Sequence, residues 1–198
     1  MKRSAMALVV ACVVVVAGCG KKQPDETKQA PPELMAQGQA PHSVGGSSSV
    51  AGIHWKVPAG WSEQPPRQMR YATYGVPAAS GDKEGGECGV FFFGAGQGGS
   101  VDMNIDRWIG QFENAGEPSR SSKEINGLAV TFVEVRGTYV GMSGPMMASQ
   151  EKKTNYRLLG AIVEAPEGSV FFKFTGPEKT VAAAESAFNS LTASFAKN

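Results

Sequence analysis

The residues of this chain best suited to chemistry are a glycine run, a methionine cluster, a scatter of carboxylates and a histidine in a strand. Gly94-Ala95-Gly96-Gln97-Gly98-Gly99 has the G-x-G-x-x-G spacing that lets backbone amides face a pyrophosphate at a helix N-terminus. That use requires the motif in the first βαβ unit of a parallel sheet, with an acidic residue ~20 positions on. Here two strand patterns precede it with no helix between them, and Glu134 lies well beyond that spacing. The glycines are therefore read as a turn that needs positive φ. No Gly-Lys-Ser/Thr follows, so a phosphate-binding P-loop is excluded. No cofactor is expected.

The segment from Gly141 to Gln150 holds Met142, Met146 and Met147, three of the eight methionines. Thioethers select soft metals such as Cu(I), and they also make adaptable apolar contact surfaces. These three are the candidate partner or ligand contacts, with copper handling as the alternative and packing of the loop against the sheet as the simplest use. No His or Cys adjoins them, so no metal site is assigned.

The two histidines leave little room for a nucleophilic triad. His42 lies in a polar N-terminal stretch, so only His54 remains to orient a serine or Cys88. Cys88 sits beside bulky Phe residues, where a thiol acts as a small apolar group. Asp102, Asp106, Glu113 and Glu134 would support a histidine-independent hydrolase if they converged in space. Asp102 and Asp106, however, fall in the first turns of a helix, where the dipole favours negative charge. No catalytic residue is assigned, and the chain is expected not to be an enzyme.

These groups must be positioned by a domain running from Ala51 to Asn198. Ile53 to Val57 reads as a strand stopped by Pro58. Arg70 to Val76 is a second, with Tyr71, Thr73 and Gly75 opposing Ala72, Tyr74 and Val76. Glu87 to Phe93 is a third, its Val90-Phe91-Phe92-Phe93 run suggesting burial on both faces. Ser100 suits an N-cap, and Val101, Ile105, Trp108, Ile109 and Phe112 then mark one face of a helix that Gly116 and Pro118 end. Trp55, Trp61 and Trp108 would form an aromatic binding patch if they met at the surface, but Trp108 is expected in the core with its helix face and Trp61, in the turn after Gly60, over a sheet edge.

Leu128 to Tyr139 is a long central strand. Tyr156 to Glu164 and Val170 to Phe174 are two more, joined by Ala165 to Ser169 at hairpin length. Pro177 suits a first helical turn, and Val181, Ala184, Phe188, Leu191 and Phe195 recur at helical spacing. The order of elements predicts an α+β domain, an antiparallel sheet flanked by helices in layers.

Upstream lies an export signal. Lys2 and Arg3 precede an apolar run from Ala5 to Ala17, the order of a secretory signal. The run is shorter than the roughly 20 residues a bilayer span requires. Val16-Ala17-Gly18-Cys19 resembles a bacterial lipobox, with Val16 where Leu is more usual. The resemblance implies that residues 1–18 are removed and that Cys19 becomes a diacylated N-terminus, the membrane anchor. Gly20 and Lys21 lack the aspartate that retains some lipoproteins at the inner membrane, which favours the outer membrane facing the periplasm. Residues 19–50, rich in Lys, Gln, Pro, Ser and Gly, are expected to form a disordered tether after the lipidated cysteine.

Losing Lys2 and Arg3 takes the formal charge from +1 to −1. A nearly neutral chain lacks the many phosphate contacts that nucleic acid requires, so no nucleic acid is expected. Of the three cysteines, Cys12 departs with the signal and Cys19 carries lipid, leaving Cys88 without an intramolecular disulfide partner.

Trp55-x-x-Pro58-x-Gly60-Trp61 resembles the opening of Mog1/PsbP-like domains. So does Phe174-Thr175-Gly176-Pro177, leading to a terminal helix that ends Leu191-Thr192-Ala193-Ser194-Phe195. The resemblance implies an antiparallel sheet with helices and a binding or assembly role with a protein partner. No functional residue of the family is matched here.

Overall fold

In a computed structural model, residues 46–141 and 152–198 are described, which leaves Cys19, Met142, Met146 and Met147 outside the described residues. Eleven strands and two helices follow in order: β1 (Ser47–Val50), β2 (Ile53–Lys56), β3 (Ser62–Glu63), β4 (Ala72–Val76), β5 (Gly86–Phe91), α1 (Val101–Ile109), β6 (Phe112–Glu113), β7 (Ser119–Ile125), β8 (Leu128–Tyr139), β9 (Lys153–Ala165), β10 (Gly168–Pro177), α2 (Glu178–Ala193) and β11 (Ala196–Lys197). The large sheet runs β3-β4-β5-β10-β9-β8-β6, with β7 also on β8, and a small sheet runs β1-β2-β11. The pairings are antiparallel, as the hairpin spacing predicts.

Alternation along the central strands divides the apolar residues between two clusters. Phe172 and Phe174 of β10, Leu159, Ala161 and Val163 of β9, and Cys88 and Val90 of β5 pack with Val181, Phe188 and Leu191 of α2. Phe171 of β10, Leu158 and Ile162 of β9, and Val133 and Val135 of β8 pack with Ile105 and Trp108 of α1. Gly160 makes the second contact close: a Cβ there would lie 2.5 Å from Trp108 and 2.7 Å from Val133.

Helix ends follow the sequence with two differences. Ser100 caps α1, its Oγ accepting from the Met103 amide at 3.2 Å. Gly110 closes that helix directly after Ile109, so Phe112 begins β6 against Tyr139 instead of ending the helix. Pro177 closes β10 and sits at the N-cap of α2, where its side chain offers no acceptor. Asp82 supplies one from far away in sequence: its Oδ2 accepts from the Thr180 amide at 2.9 Å and the Thr180 hydroxyl at 2.7 Å. Phe195 lies beyond α2 and packs on Phe172, with ring centroids 4.7 Å apart.

The hairpin between β9 and β10 is tighter than the five-residue link expected. Ala165 pairs with Gly168 around Pro166-Glu167. The ordered sheet also begins earlier, at Ser47, not at Ala51. Ala51 and Gly52, at φ 56° and 77°, form a tight turn that folds β1 onto β2. The Tyr71 hydroxyl donates to the Ser49 carbonyl at 2.6 Å, and the Tyr74 hydroxyl to buried Ser48 at 3.1 Å. Each such bond contributes on the order of 1 kcal/mol. A chain starting at residue 51 is therefore expected to be about 2 kcal/mol less stable to urea than one starting at residue 46, before the lost ladder is counted.

A cationic cleft beside a short helix

The two helices cover the sheet unequally. At nine residues α1 is about 13 Å long, against about 24 Å for the sixteen residues of α2. Residues of β4, β5, β10 and β9 line an open region to which α1 contributes no residue. This region is a cleft of about 640 Å³. Gly75 and Gly89 line it on neighbouring strands, and neighbouring side chains lie over both: a Cβ would lie 2.7 Å from Gln64 at Gly75 and 3.0 Å from Phe91 at Gly89. Arg67, Arg70, Lys153 and Lys173 line it with Glu84 and Glu87.

The two carboxylates are already engaged. Glu87 accepts from Arg67 at 2.6 Å and from Arg70 at 2.5 Å. Glu84 accepts from Lys153 at 2.6 Å and from the Tyr156 hydroxyl at 2.5 Å. The hydrogen bond from Lys153, then that from Tyr156, holds the Glu84 carboxyl below its ordinary range. The same contact lifts Lys153 above its own. Burial, then the bond to Glu84, pushes Tyr156 up to about 12.

Lys173 is different. It stands on β10 between Phe172 and Phe174, but its side chain points to the opposite face. Its ammonium donates to Gln111 Oε1 and, at 3.3 Å, to the Tyr139 hydroxyl. Among the described residues it forms no ion pair with a carboxylate. Burial, followed by the neighbouring positive charge of Arg70, pushes it down to about 8. The Thr175 hydroxyl, on the same strand and lining the cleft, is buried without a hydrogen-bond partner among the described residues.

The residues singled out from sequence lie elsewhere. Gly94, Gly96, Gly98 and Gly99 all have positive φ, from 67° to 101°, and link antiparallel β5 to α1, as a turn and not as a nucleotide loop. His54 Nδ1 lies 3.1 Å from Asn198 Oδ1 in the small sheet. Cys88 is fully buried, and burial pushes its thiol up. Trp55, Trp61 and Trp108 are core residues. Asp102 pairs with Arg120 at 2.6 Å and Glu113 with Lys152 at 2.7 Å, both on the surface. No group of three His, Cys, Asp or Glu among the described residues is placed to hold a metal.

One acidic pair does share a cavity. Glu134 and Glu185 line a hollow of about 210 Å³ on the α2 face. Both accept from Arg157, at 2.8 Å and 2.7 Å. Burial opposes ionisation of Glu134, but the bonds from Arg157 and Arg136 outweigh it and hold the carboxyl below its usual range. Two-carboxylate glycoside hydrolysis needs one group kept protonated, whereas Glu134 is held in its ionised form.

Sequence reasoning missed the cleft. The available signal was Lys173 inside a bulky apolar strand, together with Gly75 and Gly89 at matching parity in two others.

Structurally, the chain is a mostly antiparallel sheet carrying two helices and an open cationic cleft. That architecture is PsbP-like. The cyanobacterial PsbP protein CyanoP from Synechocystis sp. PCC 6803 matches with a TM-score of 0.50 and 12% identity, over 77% of this chain and 90% of that one. A Pseudomonas aeruginosa protein of unknown function aligns at a TM-score of 0.45 and 11% identity, over 76% of this chain and 95% of that one. No family model and no curated protein matches the sequence. No described helix is long and apolar enough to cross a membrane.

Proposed function

We propose that this chain is a membrane-anchored extracytoplasmic binding or assembly module, not an enzyme, whose recognition surface is the cationic cleft. The observation that carries the reading is the stretch of sheet left uncovered by α1, floored by glycines and lined by more cations than carboxylates. Glu84 and Glu87 are tied to cations, which supports recognition over acid–base chemistry there. Helices on both faces of the sheet, in an α/β/α arrangement, would hold the cleft rigid. The Cys19 anchor, at the outer membrane facing the periplasm, would present it to a protein partner bearing acidic groups.

Two comparisons test this. The mature chain is expected to begin at Cys19 and carry the acyl mass, which the Cys19→Ser chain lacks; an unacylated Cys19 in the native chain excludes the anchor. Cross-linked capture from native membranes is expected to recover one reproducible partner. That partner should be lost with Arg67→Ala plus Lys153→Ala and kept with Lys179→Ala, an exposed change on α2. Equal recovery from both excludes the cleft as the recognition surface.

A further inference from the structure

Beside the cleft, and sharing Arg70, Lys173, Phe91 and Tyr139 with it, lies a cavity of about 400 Å³ between the sheet and α1. Its walls are aromatic: Phe91, Phe93, Trp108 and Phe171. Three cations line it, Arg70, Arg107 and Lys173, and no carboxylate does. Arg70 is stacked over Phe91 at 5.5 Å, bringing charge and apolar surface to one place. Among the described residues neither Lys173 nor Arg107 forms an ion pair with a carboxylate. Three large apolar side chains are exposed among the described residues, and two of them, Met69 at 73% and Phe93 at 36%, line this cavity. Met69 is moreover held at φ 64°, a strained backbone for a residue with a long side chain.

We propose that this cavity binds an amphiphilic anion, its oxyanion head against Lys173 and Arg107 and its aliphatic or aryl body along Phe91, Phe93 and Phe171. The inference rests on the reading of the adjoining cleft as a recognition surface and extends it to a small ligand. The volume suits one such molecule, since ligand pockets run from roughly 300 Å³ upward. An apolar body alone would leave Lys173 and Arg107, which have only neutral hydrogen-bond partners among the described residues, without an anion. A head alone would leave exposed Phe93 and Met69 uncovered. The pH response follows from the groups around Lys173, which are Arg70 and Glu87 from the β4–β5 side, Arg107 and Gln111 at α1, and Tyr139 of β8. The charged ammonium is the form that attracts an anion, and it is lost as pH rises through about 8. Affinity is therefore expected to hold below that value and to fall above it.

The full-length Cys19→Ser chain, free of detergent, is titrated with ω-bromododecanoate while tryptophan emission is followed. Trp108 lines the cavity, whereas Trp55 and Trp61 belong to the other core. Saturable quenching is expected, displaced by dodecanoate. Dodecyl phosphate displacing equally well identifies the head as any oxyanion; weaker displacement identifies it as a carboxylate. ω-Bromododecanol, acetate and inorganic phosphate are expected to bind at least tenfold more weakly. Lys173→Met should weaken dodecanoate about tenfold, equivalent to ~1.4 kcal/mol, and Lys173→Arg should retain it. Phe93→Ala, at the exposed side of the cavity, gives a second loss without changing charge. Equal binding of the alcohol, or unchanged affinity in both Lys173→Met and Phe93→Ala, overturns the proposal. If that happens while partner capture still depends on Arg67 and Lys153, the recognition reading stands and this inference alone falls.

Discussion

Replacing Arg157 with alanine should destabilise the domain by about 3 kcal/mol at neutral pH, toward the lower end of what breaking a buried ion pair costs. The Arg157 side chain is only 3% exposed and donates to carboxylates from two elements, Glu134 of β8 and Glu185 of α2. Removing it leaves the two carboxylates beside one another without their shared cation. Glu185 is 41% exposed and Glu134 keeps Arg136, so solvent and the remaining guanidinium moderate the loss. The pH dependence has a definite sign. Glu134 is held below its unfolded value near 4.5, so its ionised form contributes stability above that value and loses it as pH falls through the folded one. The gap between the native chain and Arg157→Ala should thus be widest at neutral pH and narrow toward about pH 4. Urea unfolding at the two pH values checks this, and a gap that widened on acidification would contradict the pairing.

Phe172→Ala should cost about 3–5 kcal/mol, the range for deleting a buried aromatic side chain. Phe172 is fully buried where three elements meet. Its ring lies edge-on to Trp55 at 5.0 Å and tilted against Phe195 at 4.7 Å. The cavity would open between β10, β2 and Phe195, and β10 and β2 are both held in sheet ladders. Phe93→Ala provides the contrast: its ring is already 36% exposed, so a loss below about 1 kcal/mol is expected. Chemical denaturation of both variants, with near-ultraviolet circular dichroism following Trp55, would show whether the core or the cavity edge sets stability.

The elements most legible from sequence were those with strong periodicity. β8 spans Leu128–Tyr139, the bounds its β-rich run suggests. Alternation from Ala72 to Val76 separates the residues of β4 that face the α2 core from Thr73 and Gly75, which face the cleft side. Tyr71, just before β4, packs on Trp55 with the α2 core and not with Thr73 and Gly75 as expected. Ser100 caps α1 because a serine before an apolar period has few better uses. β7 carried no such signal. Its sequence Ser-Arg-Ser-Ser-Lys-Glu-Ile is exposed at six of seven positions, so no apolar alternation exists to read. β1 was hidden for the same reason, being three serines and a valine that gain strand geometry only from β2.

The cavity was harder still, because its members come from α1, β5, β8, β10 and the turn before β4. Each looks ordinary alone: Lys173 reads as an interruption in an apolar strand, and Phe93 as part of a buried run. Only the short reach of α1 explains why both remain accessible. The length of a helix is legible in sequence, but the area of sheet it fails to cover depends on strand order, which local patterning does not encode.

The polar character of β7 also bears on the open margin of the large sheet. An open strand edge displays unpaired amides and carbonyls on which another chain can template a further strand. At one end of the large sheet β3 is only two residues long. At the other, β7 presents Arg120, Lys123 and Glu124 along an exposed strand. Shortness at one margin and charge at the other oppose polymerisation into a continuous cross-strand ladder. Strands that contribute almost nothing to the core thereby make these two margins poor templates for a further strand.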